Sequence, residues 1–281
     1  MTRDLDLGDV NGVLQRAFDE DLPSTDITTV STVPADAMAK AQIVAKAPLV
    51  LCGQVLAASA FSMMSPATEY SAVVEDGTKV EPGTVVATIE GPARAVLSAE
   101  RTALNFMQRL SGTATLVRRF ADAAAGKCRV VDTRKTTPGL RALQRYAVRC
   151  GGGHNHRNDL SSGVLIKENH IRAAGGIAAA IGGAKAHAPH GLRVECEITT
   201  LDEAQEALDA GADVIMLDNM DNGLCREAVA RFGGKAILEA SGNITLERVA
   251  ALAEIGIDVI SVGAFTHSAP AADLSLLFEF A

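Results

Sequence analysis

The sequence has few aromatic residues and no tryptophan. Only 4% of its 281 residues are aromatic, whereas 48% are hydrophobic, so we expect a core built mainly from alanine, valine, leucine and isoleucine. A stretch rich in alanine and glycine, residues 173–184, is shorter than a membrane-spanning helix and predicts a helix packed on a sheet. The acidic N-terminus lacks the apolar segment of a signal peptide. These features predict a cytoplasmic protein that makes no membrane contact.

The sequence also lacks an excess of positive charge and any close pair of cysteines. Its formal charge is −8 and its pI is about 5.3, which argues against a general nucleic-acid surface. The cysteines are odd in number and widely spaced: Cys52, Cys128, Cys150, Cys196 and Cys225. This pattern is typical of free thiols in a reducing compartment and not of a disulfide framework.

Two regions with different patterns divide the chain. After a predicted N-terminal helix over residues 5–20, residues 39–91 contain short strands rich in valine and threonine, with Asp-Gly and Pro-Gly turns. A long helix beginning near Ser98 follows. We expect an N-terminal domain over residues 1–112 and a second domain over residues 113–281, with the last ten or so residues returning to the first domain.

Apolar strands recur from residue 129 onwards, separated by helix-like segments. They span residues 129–132, 163–167, 192–198, 213–217, 235–239 and 257–262. The last three follow one another at roughly 22 to 23 residues, the length of a βα unit. Six strands are fewer than the eight of a full βα barrel. The sequence therefore predicts an α/β protein, with an N-terminal α/β sandwich module and an incomplete parallel βα barrel of six or seven strands.

Five basic side chains follow the first two of these strands or lie in the loop between them. The first strand leads to Arg134 and Lys135, the loop carries His156 and Arg157, and the second strand ends on Lys167. The carboxyl ends of parallel strands meet at one edge of a sheet, where α/β proteins bind ligands. So many cations in an acidic protein predict a site for a strongly anionic ligand, with a solvated loop as the alternative.

The later strands end in two carboxylates and two turns of small residues. Glu197 and Asp218 end the third and fourth strands. The small residues of the two turns are Ser241, Gly242, Asn243, Val262, Gly263 and Ala264. Backbone N–H groups of such turns hold phosphate in many barrels, although glycine after a strand is also ordinary turn chemistry. The carboxylates suit Mg²⁺ or sugar hydroxyls, with a role as simple counterions as the alternative.

Several motifs of this region occur together in one order. They are DTRKTTPGLR (132–141), GGGHNHR (151–157), VLIKENH (164–170), VECEI (194–198), IMLDN (215–219), LEASGN (238–243) and ISVGAFTHS (260–268). With DEDLPSTDITT, LCG and ERTALNFMQRLSGTAT upstream, they make the chain resemble the quinolinate phosphoribosyltransferase family over almost its full length. It departs from the family in two loops, where Pro23 and Ser24 replace a glycine-containing turn and DLSSG (159–163) replaces a segment with Leu-Tyr-Asp.

The resemblance implies transfer of the phosphoribosyl group of 5-phosphoribosyl 1-pyrophosphate (PRPP) to quinolinate. The products would be nicotinate mononucleotide, pyrophosphate and CO₂, in de novo NAD synthesis. It implies Mg²⁺ held by Glu197 and Asp218, directly or through water, and catalytic roles for these two residues together with Lys135 and Lys167. Quinolinate would contact Arg101, Thr133, Arg134, Lys135, His156, Arg157 and Lys167. PRPP would contact Lys135, Lys167, Glu197, Asp218, Ser241, Gly242, Asn243, Val262, Gly263 and Ala264.

One of these residues, Arg101, precedes the predicted barrel and lies in the first turn of the predicted long helix. The resemblance implies a homodimer in which the N-terminal domain of one subunit covers the barrel of its partner. Arg101 would then act in the partner's active site. Assembly beyond a dimer is left open.

Four other interpretations fit parts of the sequence. Lys167 has the position of a Schiff-base lysine in an aldolase-like barrel. Residues 75–92 have the rhythm of a biotinyl or lipoyl carrier hairpin, although Lys79 is not centred in a turn. A phosphoribosyltransferase associated with molybdenum transport shares the architecture, but the complete arginine set favours quinolinate. The fourth is a zinc site formed by Cys150, His154 and His156, although their spacing matches no strong pattern of zinc ligands.

Overall fold

In a computed structural model, residues 7–279 are described, and the chain divides into two compact units. The first unit comprises Met1–Arg118, Thr136–Gly152 and Phe265–Ala281, and the second comprises Arg119–Lys135 and Gly153–Ala264. The start of the predicted N-terminal helix and the last two residues of the predicted C-terminal return lie outside the described residues. Within the described part of the chain, no helix has both the length and the apolar character needed to cross a membrane.

The elements follow one another as a β-rich segment, a long helix and a series of βα units. The helices are α1 (Val10–Asp21), α2 (Ile27–Thr32), α3 (Gln54–Met64), α4 (Ala93–Ala124), α5 (Arg141–Cys150), α6 (Glu168–Ala174), α7 (Ile177–His187), α8 (Leu201–Asp209), α9 (Asn222–Phe232), α10 (Leu246–Ile255) and α11 (Ala264–His267). The strands are β1 (Met38–Ala45), β2 (Leu49–Val50), β3 (Glu69–Ala72), β4 (Lys79–Val80), β5 (Val85–Pro92), β6 (Arg129–Val131), β7 (Val164–Ile166), β8 (Val194–Ile198), β9 (Val214–Asp218), β10 (Ile237–Ser241), β11 (Val259–Ser261) and β12 (Leu274–Glu279).

A four-stranded sheet in the order β12-β1-β5-β3, antiparallel at each pairing, forms the centre of the first unit. The C-terminal strand β12 pairs with β1, with Leu274 opposite Ala45. Exposed and buried residues alternate along the first half of β1, as expected for a sheet with one covered face. Its inward side chains join α1, α3 and α4 in one hydrophobic core, which includes Leu14, Ile43 and Phe61.

The start of α4 differs from the prediction. The helix begins at Ala93, directly after Pro92 and upstream of Ser98. Proline fixes φ near the helical value and needs no amide hydrogen at the start of a helix, so the chain passes from strand to helix there without an intervening loop. Lys79 lies in β4, opposite Val50, and not in a hairpin turn. The interpretation of this segment as a carrier hairpin therefore has no support in the fold.

The helix predicted over residues 173–184 is divided. Helix α6 ends at Ala174 and α7 begins at Ile177. Gly175 and Gly176 between them have φ of 88° and 144°. Because residues with side chains rarely adopt such angles, the glycine pair ends one helix and starts the next in a new direction.

Six parallel strands in the order β6-β11-β10-β9-β8-β7 build the second unit. Of these six strands, the first along the chain, β6, pairs with the last, β11, with Ser261 opposite Val131. Among the described strands, β6 and β7 are not paired with each other, and His154 forms a bridge to Val131 on the open side of β6. The structure confirms the predicted incomplete βα barrel, and all six predicted strands are present.

Candidate active site

A cavity of about 300 Å³ lies at the carboxyl ends of the strands of the second unit. Alternate residues of a strand point to the same face, so that β10 contributes Glu239 and Ser241, while Leu165 and Lys167 come from β7 and the position after it. The full lining consists of Thr133, Arg134, Lys135, His156, Arg157, Leu165, Lys167, Met216, Glu239, Ser241 and Ser261.

The structure brings many of the predicted residues together in this cavity. These are Thr133, Arg134, Lys135, His156, Arg157, Lys167 and Ser241. The predicted residues of the second unit outside the described lining are Glu197, Asp218, Gly242, Asn243, Val262, Gly263 and Ala264. Arg101 belongs to the first unit and lies on α4, where its side chain is exposed and 4.0 Å from the carboxylate of Glu100.

Arg134 and Arg157 form a cationic wall of the cavity. Nη1 of Arg157 donates to the carbonyl oxygen of Gly163 at 2.9 Å, whereas Nε of Arg134 is buried without a hydrogen-bond partner. Burial lowers the pKa of Arg157, and the charge of Arg134 lowers it further. The two guanidinium groups therefore repel each other, and a bound anion would relieve that repulsion.

Lys167 and Glu197 form an ion pair at the ends of β7 and β8. Nζ of Lys167 donates to Oε2 of Glu197. The Lys167 side chain is 46% exposed, and its partner is an anion. It is therefore neither desolvated nor surrounded by cations alone. The amine of a Schiff-base lysine must be available to attack a carbonyl carbon, whereas Nζ of Lys167 is engaged by a carboxylate. The pair therefore favours an anion-binding role for Lys167 over aldolase-like chemistry.

His156 lies above two buried glutamates. Its Nε2 atom is 3.3 Å from Oε2 of Glu195 and 3.4 Å from Oε2 of Glu239. The glutamate side chains are only 8% and 3% exposed, and the Oε1 atom of each is buried without a hydrogen-bond partner. Burial lowers the pKa of His156, but its hydrogen bonds to Glu195 and Glu239 raise it more, to about 10. Burial raises the pKa of Glu195.

The second ring nitrogen of His156 determines which atom carries the ring proton. Nδ1 accepts a hydrogen bond from the backbone N–H of Arg157 at 2.8 Å. Because a donor faces Nδ1 and two acceptors face Nε2, the proton of the neutral ring lies on Nε2, which stays protonated in the charged ring. A metal bound at Nε2 would require the proton on Nδ1, where the Arg157 N–H opposes it. We therefore do not assign a metal to this cluster.

Asp132 fixes the same loop from the other side. Its buried carboxylate accepts hydrogen bonds from the backbone N–H of His156 at 2.8 Å and from Nδ2 of Asn155 at 2.6 Å. The loop is also tied to β6 by the backbone bond from His154 to Val130 at 2.8 Å. The backbone and the ring of His156 are thus held by separate acids.

Of the predicted zinc trio, Cys150 belongs to the first unit, whereas His154 and His156 belong to the second. The described clusters of three potential metal ligands are Cys52, Asp76 and Cys150 in the first unit and His156, Glu195 and Glu239 in the second. In the first cluster, the carboxylate of Asp76 already accepts hydrogen bonds from the backbone N–H of Gly53 and from the hydroxyl of Tyr146. Its oxygens therefore act as caps and hydrogen-bond acceptors within the fold.

The turns after β9 and β10 are joined to each other. Asn219 and Asn243 have φ of 54° and 50°, and Nδ2 of Asn243 donates to Oδ1 of Asn219 at 3.0 Å. Nη1 of Arg248 donates to the carbonyl oxygen of Gly242 at 2.7 Å. Positive φ in residues with side chains costs free energy and persists where the surroundings enforce it. These turns, which follow Asp218 and Ser241, are therefore held in one defined conformation.

Sequence reasoning missed the acidic residues beneath the cavity. Asp132, Glu195 and Glu239 are buried, and none was predicted as a site residue. For Glu195 and Glu239, the available signal was a glutamate within a strand, namely the first glutamate of VECEI and the glutamate of ILEAS. Because an isolated buried carboxylate is costly, such a residue indicates a partner contributed by another part of the fold.

Comparisons with known proteins agree with this architecture. Residues 26–111 match the N-terminal domain model, and residues 113–277 the C-terminal domain model, of quinolinate phosphoribosyl transferase. A probable nicotinate-nucleotide pyrophosphorylase (carboxylating) from Bacillus subtilis is 40% identical over 265 residues, which cover 94% of this chain and 91% of the relative. The chloroplastic nicotinate-nucleotide pyrophosphorylase (carboxylating) of Arabidopsis thaliana is 40% identical over 290 residues, with coverage of 96% and 83%.

Solved structures give the same result. The nicotinate-nucleotide pyrophosphorylase from Francisella tularensis superposes with a TM-score of 0.93 at 40% identity, and the match covers 99% of this chain and 100% of that one. The two domain models together span most of the sequence. The chain therefore belongs to the quinolinate phosphoribosyltransferase family.

Proposed function

We propose that the protein transfers the phosphoribosyl group of PRPP to the ring nitrogen of quinolinate and yields nicotinate mononucleotide, pyrophosphate and CO₂, in de novo NAD synthesis. Membership of the family supports this reaction. The observation that carries it to this chain is the cavity lined by Arg134, Lys135, Arg157 and Lys167 at the ends of parallel strands. Such a cavity suits a substrate pair that carries carboxylates and phosphates.

Quinolinate is a planar dianion, and paired planar cations suit it. The forked donors of Arg134 and Arg157 can bind carboxylates bidentately, which a lysine cannot do. A carboxylate oxygen would also give the buried Nε of Arg134 a partner. The other proposed quinolinate contacts are Arg101, Thr133, Lys135, His156 and Lys167.

PRPP would occupy the ends of β8 to β11. Lys135 and Lys167 would contact its pyrophosphate, and Glu197 and Asp218 would lie on the ribose side. Backbone N–H groups of the turns after β10 and β11 would hold phosphate, because successive amides in turns of small residues form anion-binding concavities. The residues of these turns are Ser241, Gly242, Asn243, Val262, Gly263 and Ala264.

The first chemical step breaks the bond between the ribose carbon and pyrophosphate. Negative charge grows on the leaving group, where Lys135 and Lys167 stabilise it, and positive charge grows on the ribose, where Glu197 and Asp218 stabilise it. The ring nitrogen of quinolinate then bonds to the ribose carbon. The neighbouring carboxylate leaves as CO₂, its electron pair stays on the ring carbon beside the cationic nitrogen, and a proton takes its place. No nucleophilic side chain is needed.

Glu197 and Asp218 fit Mg²⁺, and we propose that they hold it, directly or through water. They offer carboxylate oxygens from neighbouring strands, and Mg²⁺ is usually held by one or two carboxylates together with substrate phosphates. Each is engaged within the protein through one oxygen, Oε2 of Glu197 with Lys167 and Oδ2 of Asp218 with Asn219. Mg²⁺ bound there would neutralise charge on the pyrophosphate.

We also propose a homodimer with shared active sites and a cytoplasmic location. Arg101 would contact quinolinate bound by the partner subunit, and its exposed side chain on α4 supports this role. The five cysteines are free thiols, which supports a reducing compartment.

Release of CO₂ from carboxyl-labelled quinolinate tests the proposed reaction. The purified protein is incubated with quinolinate, PRPP and Mg²⁺, and each component is omitted in turn. We expect equal amounts of CO₂ and nicotinate mononucleotide only in the complete mixture. Release without PRPP, or no release in the complete mixture, would contradict the proposal.

A further inference from the structure

We propose that Glu195 and Glu239 are positioning residues, which hold the ring of His156 in the geometry that binds the substrate carboxylate. The identity of that substrate rests on the proposed function, whereas the contacts of the ring do not. We call these two residues the glutamate pair.

The glutamate pair is unsuited to contact the substrate itself. Glu239 lines a cavity that also contains Arg134 and Arg157, and a carboxylate there repels an anionic ligand. Both glutamates instead direct Oε2 at the Nε2 atom of His156, at 3.3 and 3.4 Å. The glutamate pair therefore acts by holding the ring of His156.

The contacts of His156 permit one ring orientation. With Nε2 towards the glutamate pair, its N–H donates to carboxylates, and in the neutral ring the lone pair of Nδ1 accepts the Arg157 backbone N–H at 2.8 Å. Rotating the ring by 180° would remove both matches. The ring is thus held at Nε2 by the glutamate pair, much as outer partners orient the histidine ligands of metal sites.

This arrangement costs stability, which argues for a functional reason. The Oε1 atoms of both glutamates are buried without hydrogen-bond partners, and leaving a buried acceptor unsatisfied is unfavourable. A purely structural core would be better served by apolar side chains of similar volume. Binding sites often retain unfavourable features of this kind because function requires them, although they lower the stability of the fold.

The test compares two substitutions of Glu239 that keep the length of its side chain. Glu239→Gln retains an oxygen that can accept from Nε2, whereas Glu239→Met does not. We expect Glu239→Met to raise the Kd for quinolinate at least about tenfold and to leave the Kd for PRPP within about twofold. Glu239→Gln should recover most of the affinity. Glu227→Met, which removes an exposed carboxylate on α9, is the matched control and should leave both affinities unchanged.

Two results would overturn the proposal. One is wild-type quinolinate affinity in folded Glu239→Met, and the other is an equal loss of affinity for both substrates together with a fall in Tm, which a merely structural role predicts.

The ¹⁵N spectrum of the His156 ring in the wild-type protein gives a test that needs no variant and no substrate. We expect Nε2 to carry a proton in both the charged and the neutral ring, and a neutral ring protonated on Nδ1 alone would refute the geometry. If the wild type releases no CO₂ but has this spectrum, the proposed reaction fails while the ring contacts stand.

Discussion

Gly242 and Asn219 approach so closely that a Cβ atom on Gly242 would lie 2.2 Å from Oδ1 of Asn219. Gly242 also has φ of 85°, which a residue with a side chain adopts only with strain. Gly242→Ala should therefore displace the turn after β9, next to Asp218. We expect the KM for PRPP to rise at least about tenfold and the free energy of unfolding to fall by about 1 kcal/mol; steady-state kinetics and urea unfolding measure these.

Gly234→Ala is the control for that substitution. Gly234 has φ of 76°, but a Cβ atom there would have nothing within 4 Å. It shares the backbone strain without the contact to Asn219. Equal effects of the two variants on the KM for PRPP would show that the contact has no role in binding.

Arg134→Lys should lose the forked donor while keeping the charge. We expect kcat/KM for quinolinate to fall, because a single ammonium cannot bind a carboxylate in the bidentate manner. The fall should correspond to a loss of at least about 2 kcal/mol of transition-state stabilisation. Arg172→Lys, on the exposed face of α6 beside Glu168, should be neutral. Near-normal kcat/KM in Arg134→Lys would show that the fork is not needed.

Stability should depend on pH through His156. Burial lowers its pKa, but the hydrogen bonds to Glu195 and Glu239 raise it to about 10, above the value of about 6.5 expected in the unfolded chain. A raised pKa contributes stability that is complete below pH 6.5 or so and is lost as the pH rises towards 10. The Tm difference between wild type and His156→Gln should therefore be larger near pH 6 than near pH 10.

His190→Gln, at an exposed histidine before β8, controls for that experiment and should leave the pH dependence of the Tm as in the wild type. The same pH dependence in wild type and His156→Gln would show that the Arg157 N–H keeps Nδ1 unprotonated throughout this range.

Mixed subunits test whether Arg101 acts across a dimer. Arg101→Ala and Arg134→Ala subunits should each be inactive alone, because each lacks one quinolinate contact. If sites are shared, a mixed dimer contains one site with both arginines intact, so that co-refolded subunits should regain up to about a quarter of wild-type activity. This estimate assumes random pairing and equal subunit numbers. Activity no higher than that of either parent would argue against shared sites.

Local pattern predicted much of the fold but not all of its boundaries. The six barrel strands were predictable because each contains a short apolar run, and burial of parallel strands produces such runs. The divided helix at Gly175 and Gly176 was missed because glycine is tolerated inside a helix and does not always end one. The early start of α4 after Pro92 was missed because proline is compatible with both a strand end and a helix start.

The candidate site was likewise only partly predictable from the sequence. The cations Arg134, Arg157 and Lys167 were predictable because strand ends meet at one edge whatever the details of packing. The arrangement of the acids was not. Glu197 pairs with Lys167, and neither Glu197 nor Asp218 is among the described residues that line the cavity.

By itself the sequence determined the succession of strands along the chain, the cations at their ends and the family, because periodicity and motif order are properties of the chain alone. Only the tertiary structure decided that Glu195 of β8 and Glu239 of β10 meet at Nε2 of His156. That meeting depends on the order and curvature of the sheet, which bring residues far apart in the chain within hydrogen-bond distance, and no local pattern specifies it.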